Sequence, residues 1–139
     1  MTFVLDASIA AAWVLPGEQS DEADAILDDV AAGGALAPSL LWYELRNILV
    51  VATRRGRLPA GEAVRALGRL RRLPIETVDM TMSGDAGVIE MAERHRLSAY
   101  DAAYLALSHQ RKVPIATADK ALIRASMGAG VVLFDPRLR

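Results

Sequence analysis

A chain of 139 residues is the length of one domain, and 53% hydrophobic residues suffice to bury a real core and to predict self-association. Having no cysteine excludes disulfides, iron–sulfur clusters and thiol catalysis and suits the cytoplasm, while a net charge of −1 excludes a global field that would gather a polyanion. The apolar opening MTFVLDASIAAAWVLP has no basic start and is broken by Asp6, so it is no signal peptide, and no run approaches the ~20 apolar residues of a membrane span.

The chain alternates short β-branched runs with longer helical segments. A strand is predicted over residues 2–5, with Asp6 directly at its carboxyl end, then helices near 8–14 and 20–32. The second helix is polar and acidic, with Asp21, Glu22, Asp24, Asp28 and Asp29, and Gly33-Gly34 stops it. A strand over 35–37 leads into a helix over 39–55 that carries Glu44, ended by Gly56. Pro59 marks the first turn of a helix over 60–72, followed by a strand over 75–78 and a helix over 82–96. A helix over 99–111, a strand over 113–116, a helix over 119–127 and a strand over 131–134 complete the chain. Continuous apolar strands between helices predict one open α/β sheet, parallel and buried on both faces. There is no repeat, linker or low-complexity tract.

Four acids stand in apolar company. Asp6 and Asp119 follow strand ends, and Asp101 opens the helix AYDAAYLALS, three residues after Ser98. Each also fits a local role, the first two as N-caps and Asp101 as the far member of a capping box. Glu44 falls inside the apolar arc of Leu40, Leu41, Leu45 and Ile48, where a carboxylate needs a partner, and neither Arg46 nor Arg54 shares its face.

Ligands of open α/β sheets bind beyond the carboxyl ends of the strands, where strand order reverses. If the first strand neighbours that at 113–116, Asp6, Asp101 and Asp119 meet there, with Glu44 leaning in. Two like charges about 5 Å apart repel by roughly 3 kcal/mol at an effective dielectric of about 20, so four stay ionised together only around a cation. Oxygen donors alone select Mg²⁺ or Mn²⁺, and the chemistry implied is metal-assisted hydrolysis of a phosphodiester.

The segments LDAS, YELRN, AYDAAYLALS and TADKAL, in this order along the chain, resemble the PIN-domain ribonucleases, with the closest likeness to VapC-type toxins of bacterial toxin–antitoxin pairs. The resemblance implies a single three-layer domain over 1–139, with an open parallel sheet ordered 3-2-1-4-5 and helices on both faces. It also implies Mg²⁺-dependent endoribonuclease activity at Asp6, Glu44, Asp101 and Asp119, with Mn²⁺ able to substitute. Ser8, Asn47 and Thr117 become polar supports that orient carboxylates or waters. The partners implied are RNA, a cognate antitoxin covering the acidic pocket, and a second copy in a homodimer or toxin–antitoxin hetero-oligomer.

Two other classes are weighed. A phospho-receiver switch would want a second acid beside Asp6, where Ala7 stands, and a Lys ending the last strand, which runs VVLFDPRL. A silent PIN-like binding module is opposed by the intact acidic quartet. Arg54, Arg55 and Arg57, then Arg65, Arg69, Arg71 and Arg72, then Arg94 and Arg96 read as solvated helix faces that permit RNA contact without showing it. His95 and His109 read as surface residues, and Trp13, Trp42, Tyr100 and Tyr104 as core or interface.

Overall fold

The computed structural model describes residues 2–138. Its elements run β1 (Val4–Leu5), α1 (Ala7–Val14), α2 (Asp21–Gly33), β2 (Ala35–Pro38), α3 (Leu40–Arg54) and α4 (Glu62–Arg71). Then follow β3 (Ile75–Val78), α5 (Met82–His95), α6 (Ala99–Arg111), β4 (Ile115–Ala116) and α7 (Lys120–Ala129). The strands form one parallel sheet in the order β3-β2-β1-β4. The first four positions are therefore as expected. The fifth is held by Leu133 alone, in a parallel bridge to Ile115.

That short fifth position has a local cause. β4 is two residues long, and Ile115 accepts from Phe134 N (2.8 Å) and donates to Val132 O (3.0 Å), which leaves little ladder to extend. The expected burial on both faces holds for β1, β2 and β4 but not for β3, where Glu76 and Thr77 are exposed because β3 forms the open edge of the sheet.

Helix boundaries follow the punctuation. Gly34 closes α2 with φ of 78° and ψ of 178°, a conformation open to glycine and rarely to residues with a Cβ. Gly61, at φ of 85°, precedes α4, so the helix starts at Glu62, later than Pro59 suggested. The core joins β1 (Val4, Leu5) to Ile26 and Val30 of α2, Leu41 and Leu45 of α3, and Tyr104, Leu105 and Leu107 of α6. Burying each such side chain contributes about 1.5–3 kcal/mol. Helix α6 packs on β1, β2 and β4, and α3 packs on β2, so the helices carrying Asp101 and Glu44 are fixed by the sheet itself. In contrast α5 has no buried residue.

Candidate functional site

Strand order reverses between β1 and β4, and three acids that feel one another's charge lie there. Val4 pairs with Ile115 and Leu5 with Ala116, so both strands end together. Asp6 is the next residue after β1, caps α1, and is buried, with 4% relative exposure. Its Oδ2 accepts from Ser8 Oγ at 2.6 Å and Thr117 Oγ1 at 2.8 Å, with a longer contact from Ser8 N at 3.4 Å. Those hydroxyls are themselves held by the chain beyond β4. Ala118 N donates to Ser8 Oγ at 2.9 Å, and Asp119 N donates to Thr117 Oγ1 at 3.0 Å. Two backbone amides thus hold the two hydroxyls that donate to Asp6. Asp119 caps α7, its Oδ1 accepting from Leu122 N at 3.0 Å.

Asp101 keeps its capping geometry. Its backbone N–H donates to Ser98 Oγ at 3.1 Å, the N-cap bond of α6. Its carboxyl pKa is nevertheless raised, by burial first and then by the charges of Asp119 and Asp6. Asp101 thus sits in the first turn of α6 and at the same time feels the charges of Asp119 and Asp6.

Glu44 is half-buried on α3, and its partner is a phenol. Tyr104 OH donates to Glu44 Oε1 at 2.6 Å from the buried face of α6. Burial raises the Glu44 pKa, the Tyr104 bond pulls it back, and Asp6 and Asp101 push it up again. Burial likewise raises Asp6, against the Ser8 and Thr117 hydrogen bonds and with a further push from Asp119. The four acids are therefore one electrostatic group.

No arginine or lysine among the described residues forms an ion pair with that group. Arg46, the nearest candidate along α3, lies instead over the Tyr43 ring, 5.0 Å from its centroid. As they stand, no three acids or histidines among the described residues are close enough to grip one ion. The donor set still fits a small divalent cation: all oxygen, buried or half-buried, anionic and without a counter-charge. Asn47 is exposed one turn beyond Glu44 and bonds to none of the acids. A cleft of about 780 Å³ opens beside Ser8, Thr117 and Asp119. A larger cavity of about 1030 Å³ lies at the other, amino end of the sheet, among Thr2, Gly33 and Pro114, and none of the four acids lines it.

Sequence reasoning missed the hydrogen bond of Tyr104, treating it as core or interface. The ring is indeed fully buried, but its hydroxyl is the donor that the arc around Glu44 demanded. Trp13 and Trp42 are held in the fold as expected: Trp13 Nε1 donates to Ala23 O at 2.7 Å, and Arg71 lies 4.0 Å from the Trp42 ring centroid. Tyr100 is 68% exposed. His109 is exposed as expected, but the His95 ring is tucked against Gly128 of α7 with Nε2 buried, because the glycine leaves room for it.

Comparison with known proteins matches residues 3–127 to the PIN domain. Ribonuclease VapC3 from Pyrobaculum aerophilum is 32% identical over 126 residues, covering 88% of this chain and 92% of that one. The crystal structure of PAE2754 from the same organism superposes with a TM-score of 0.73 at 22% identity, covering 99% of this chain and 93% of that one. That of Mycobacterium tuberculosis VapC20, described as a sarcin-ricin loop cleaving toxin, superposes at 0.64 with 18% identity, covering 96% and 99%. The chain belongs to the PIN-domain family, of VapC type. Membership removes the phospho-receiver alternative. No helix among the described residues is long and apolar enough to cross a membrane.

Proposed function

We propose that this protein is a divalent-metal-dependent endoribonuclease, the toxin of a toxin–antitoxin pair, which hydrolyses RNA phosphodiester bonds at Asp6, Glu44, Asp101 and Asp119. The observation that carries the proposal is four coupled carboxylates at the carboxyl ends of β1 and β4 without a cationic partner among the described residues. Natural proteins seldom accumulate unpaired buried charge unless a ligand compensates it. The ribonuclease name of VapC3 supports RNA as the substrate.

Bound Mg²⁺ or Mn²⁺ supplies two things, a water acidified for attack and charge compensation at the scissile phosphate. The protein does the rest. Asp6, Asp119, Asp101 and Glu44 hold the cation, and Ser8 and Thr117 fix the Asp6 carboxylate so that little reorganisation is needed on loading. An antitoxin segment offering Arg or Lys to the same acids would replace the cation's charge and silence the site. Exposed apolar groups on α5, Met82 at 88% and Ile89 at 54%, support a homodimer.

The test is incubation of the purified chain with structured and unstructured RNAs in Mg²⁺, Mn²⁺ or EDTA. Cleavage is expected with either metal and none with chelator. Cleavage that persists in EDTA, from protein free of contaminating nuclease, refutes the mechanism. No cleavage of any RNA under any condition leaves a silent binding module as the better account.

A further inference from the structure

We infer that Tyr43 is a stacking platform for an unpaired RNA base beside the acidic site, and that Arg46 holds a neighbouring phosphate. This rests on RNA as the substrate, proposed above, but on no metal. Its ground is the outer face of α3. Tyr43, Arg46, Asn47, Val50 and Arg54 are all exposed and, at about 100° per residue, share an arc about 100° wide. No acid lies on that arc, and Glu44 borders it on the side of Asn47. The exposed stripe and the acidic site are therefore neighbouring faces of one helix.

Packing does not account for Tyr43, which is 72% exposed. Arg46 stands over its ring, 5.0 Å from the centroid, and neither Arg46 nor Arg54 makes an ion pair among the described residues. With a guanidinium over one face and most of the residue still in water, the opposite face is free to take a second planar group. The same placement recurs on α6, where the exposed Tyr100 directly precedes Asp101 as Tyr43 precedes Glu44.

Charge and shape together define the occupant. Two arginines with no acid on their stripe call for an anion, and a free aromatic face beside them calls for a planar ring. A nucleotide of single-stranded RNA offers both, whereas the bases of a duplex are already stacked on one another. A second copy is the poorer match, because a twofold contact would set the arginines of one stripe against those of the other with no acid to answer them. The apolar groups suited to a second copy, Met82 and Ile89, lie on α5 instead.

The experiment measures RNA binding by the full chain through fluorescence anisotropy, in EDTA at low salt, so that neither metal nor cleavage enters. The probes are a labelled oligouridylate, the same length of abasic ribose phosphate, and the oligouridylate paired to oligoadenylate. The parent is expected to bind the single strand more tightly than the duplex. Tyr43→Leu, which keeps apolar bulk and removes the aromatic face, should weaken oligouridylate at least about 5-fold and leave the abasic strand unchanged. Tyr43→Phe should restore what leucine loses. Arg46→Gln should weaken both strands alike and lower the slope of log affinity against log salt by about 0.7. In a Mn²⁺ cleavage assay the Tyr43→Leu loss should fall on KM rather than kcat. Tyr43→Leu that weakens both strands equally, or neither, overturns the inference, as does a parent that prefers the duplex or binds no RNA. A dimer that separates on gel filtration when Tyr43 is changed makes the stripe a contact between copies and overturns it too. A parent that binds the single strand as expected but cuts no RNA refutes the nuclease and not this inference.

Discussion

Glu62 and Glu44 are glutamates on two helices that pack together, and their surroundings are opposite in kind. Glu62 opens α4 and accepts from Arg65 Nε and Arg69 Nη2, both at 3.0 Å, which lowers its pKa. Glu44 meets a neutral phenol and, beyond it, two more acids; burial, then Asp6 and Asp101, raise it against the phenol's pull. Five arginines have partners of their own away from the site. Arg57 pairs with Glu18, Arg65 and Arg69 with Glu62, Arg94 with Glu90, and Arg71 lies on Trp42. A carboxylate met by arginine completes the fold. One met by a hydroxyl and other carboxylates has no cationic partner among the described residues, which is the ground of the proposed metal site.

The largest effect should separate these two environments by activity. Asp6→Asn keeps the size of the side chain and its ability to accept from Ser8 and Thr117, but removes the charge. RNA cleavage should fall by more than about 100-fold, since even a lost supporting partner of a metal ligand is worth about 10–100-fold. Glu62→Gln should leave cleavage at the parent's rate. Equal losses in both variants, read in one Mn²⁺ assay, would erase the distinction.

How far the sequence foretold that distinction depends on the residue. Asp6 and Asp119 were legible because a carboxylate directly after an apolar run marks a strand end, and parallel topology then brings strand ends together. Glu44 was legible as a misfit on an apolar arc. The phenol that answers it was not, because Tyr104 sits at helical spacing among Ala102, Ala103, Leu105 and Leu107, where an aromatic reads as core. The signal was available in hindsight: Tyr104 carries the one polar side-chain atom between Asp101 and Ser108. The fifth strand failed for a different reason. An apolar run over 131–134 meets the criterion for a buried strand, but pairing needs a partner of equal length, and β4 has only Ile115 and Ala116. Helix starts at 7 and 62 rather than 8 and 60 turn on Asp6 taking the cap that Ser8 might have filled, and on Gly61 adopting a positive φ.

The next effect turns on sign. If Asp101 served only its capping box, Asp101→Asn would remove a favourable first-turn charge and cost about 0.3–1 kcal/mol with or without metal. Asp119 and Asp6 both push against it, and that like-charge repulsion in a half-buried group opposes the capping contribution. The metal-free variant is therefore expected to melt no lower than the parent, and to lose most of the stabilisation that Mn²⁺ gives the parent. A variant that melts lower without metal and still cuts RNA normally returns Asp101 to the helix cap.

Burial of these acids, with the same repulsion behind it, should appear in the pH dependence of the parent. Burial raises the Asp6 and Glu44 pKa values above their ordinary 3.8 and 4.5, so the folded chain binds more protons than the unfolded one in the interval above those values. Stability contributed by these groups is then greatest at low pH and falls as pH rises through the folded pKa values. Thermal melts of metal-free protein between about pH 4.5 and 7.5 should show the parent losing more with rising pH than Asp6→Asn does, because other titrating groups are common to both. Saturating Mn²⁺ should flatten the difference, since a cation favours the ionised carboxylates. A parent that gains on Asp6→Asn as pH rises would mean that the acids are already compensated by something within the chain.

The smallest effect belongs to Glu62. Its lowered pKa places any contribution at pH above the ordinary 4.5, with loss as pH falls through the folded value. Both partner arginines are more than half exposed, at 63% and 54% of their side-chain area, so water and salt screen the pairs and the long side chains lose rotamer freedom in making them. Helix position adds a little, since an acid in the first turn of α4 meets the positive end of the helix dipole. Glu62→Gln is accordingly expected to shift the melting temperature at pH 7 by an amount near the error of the measurement, and the shift should vanish in high salt. Mn²⁺ affinity should not move. A salt-insensitive loss of stability, or a change in Mn²⁺ affinity, would show that the arginine-clamped acid and the acidic site are coupled across the α3–α4 contact rather than independent.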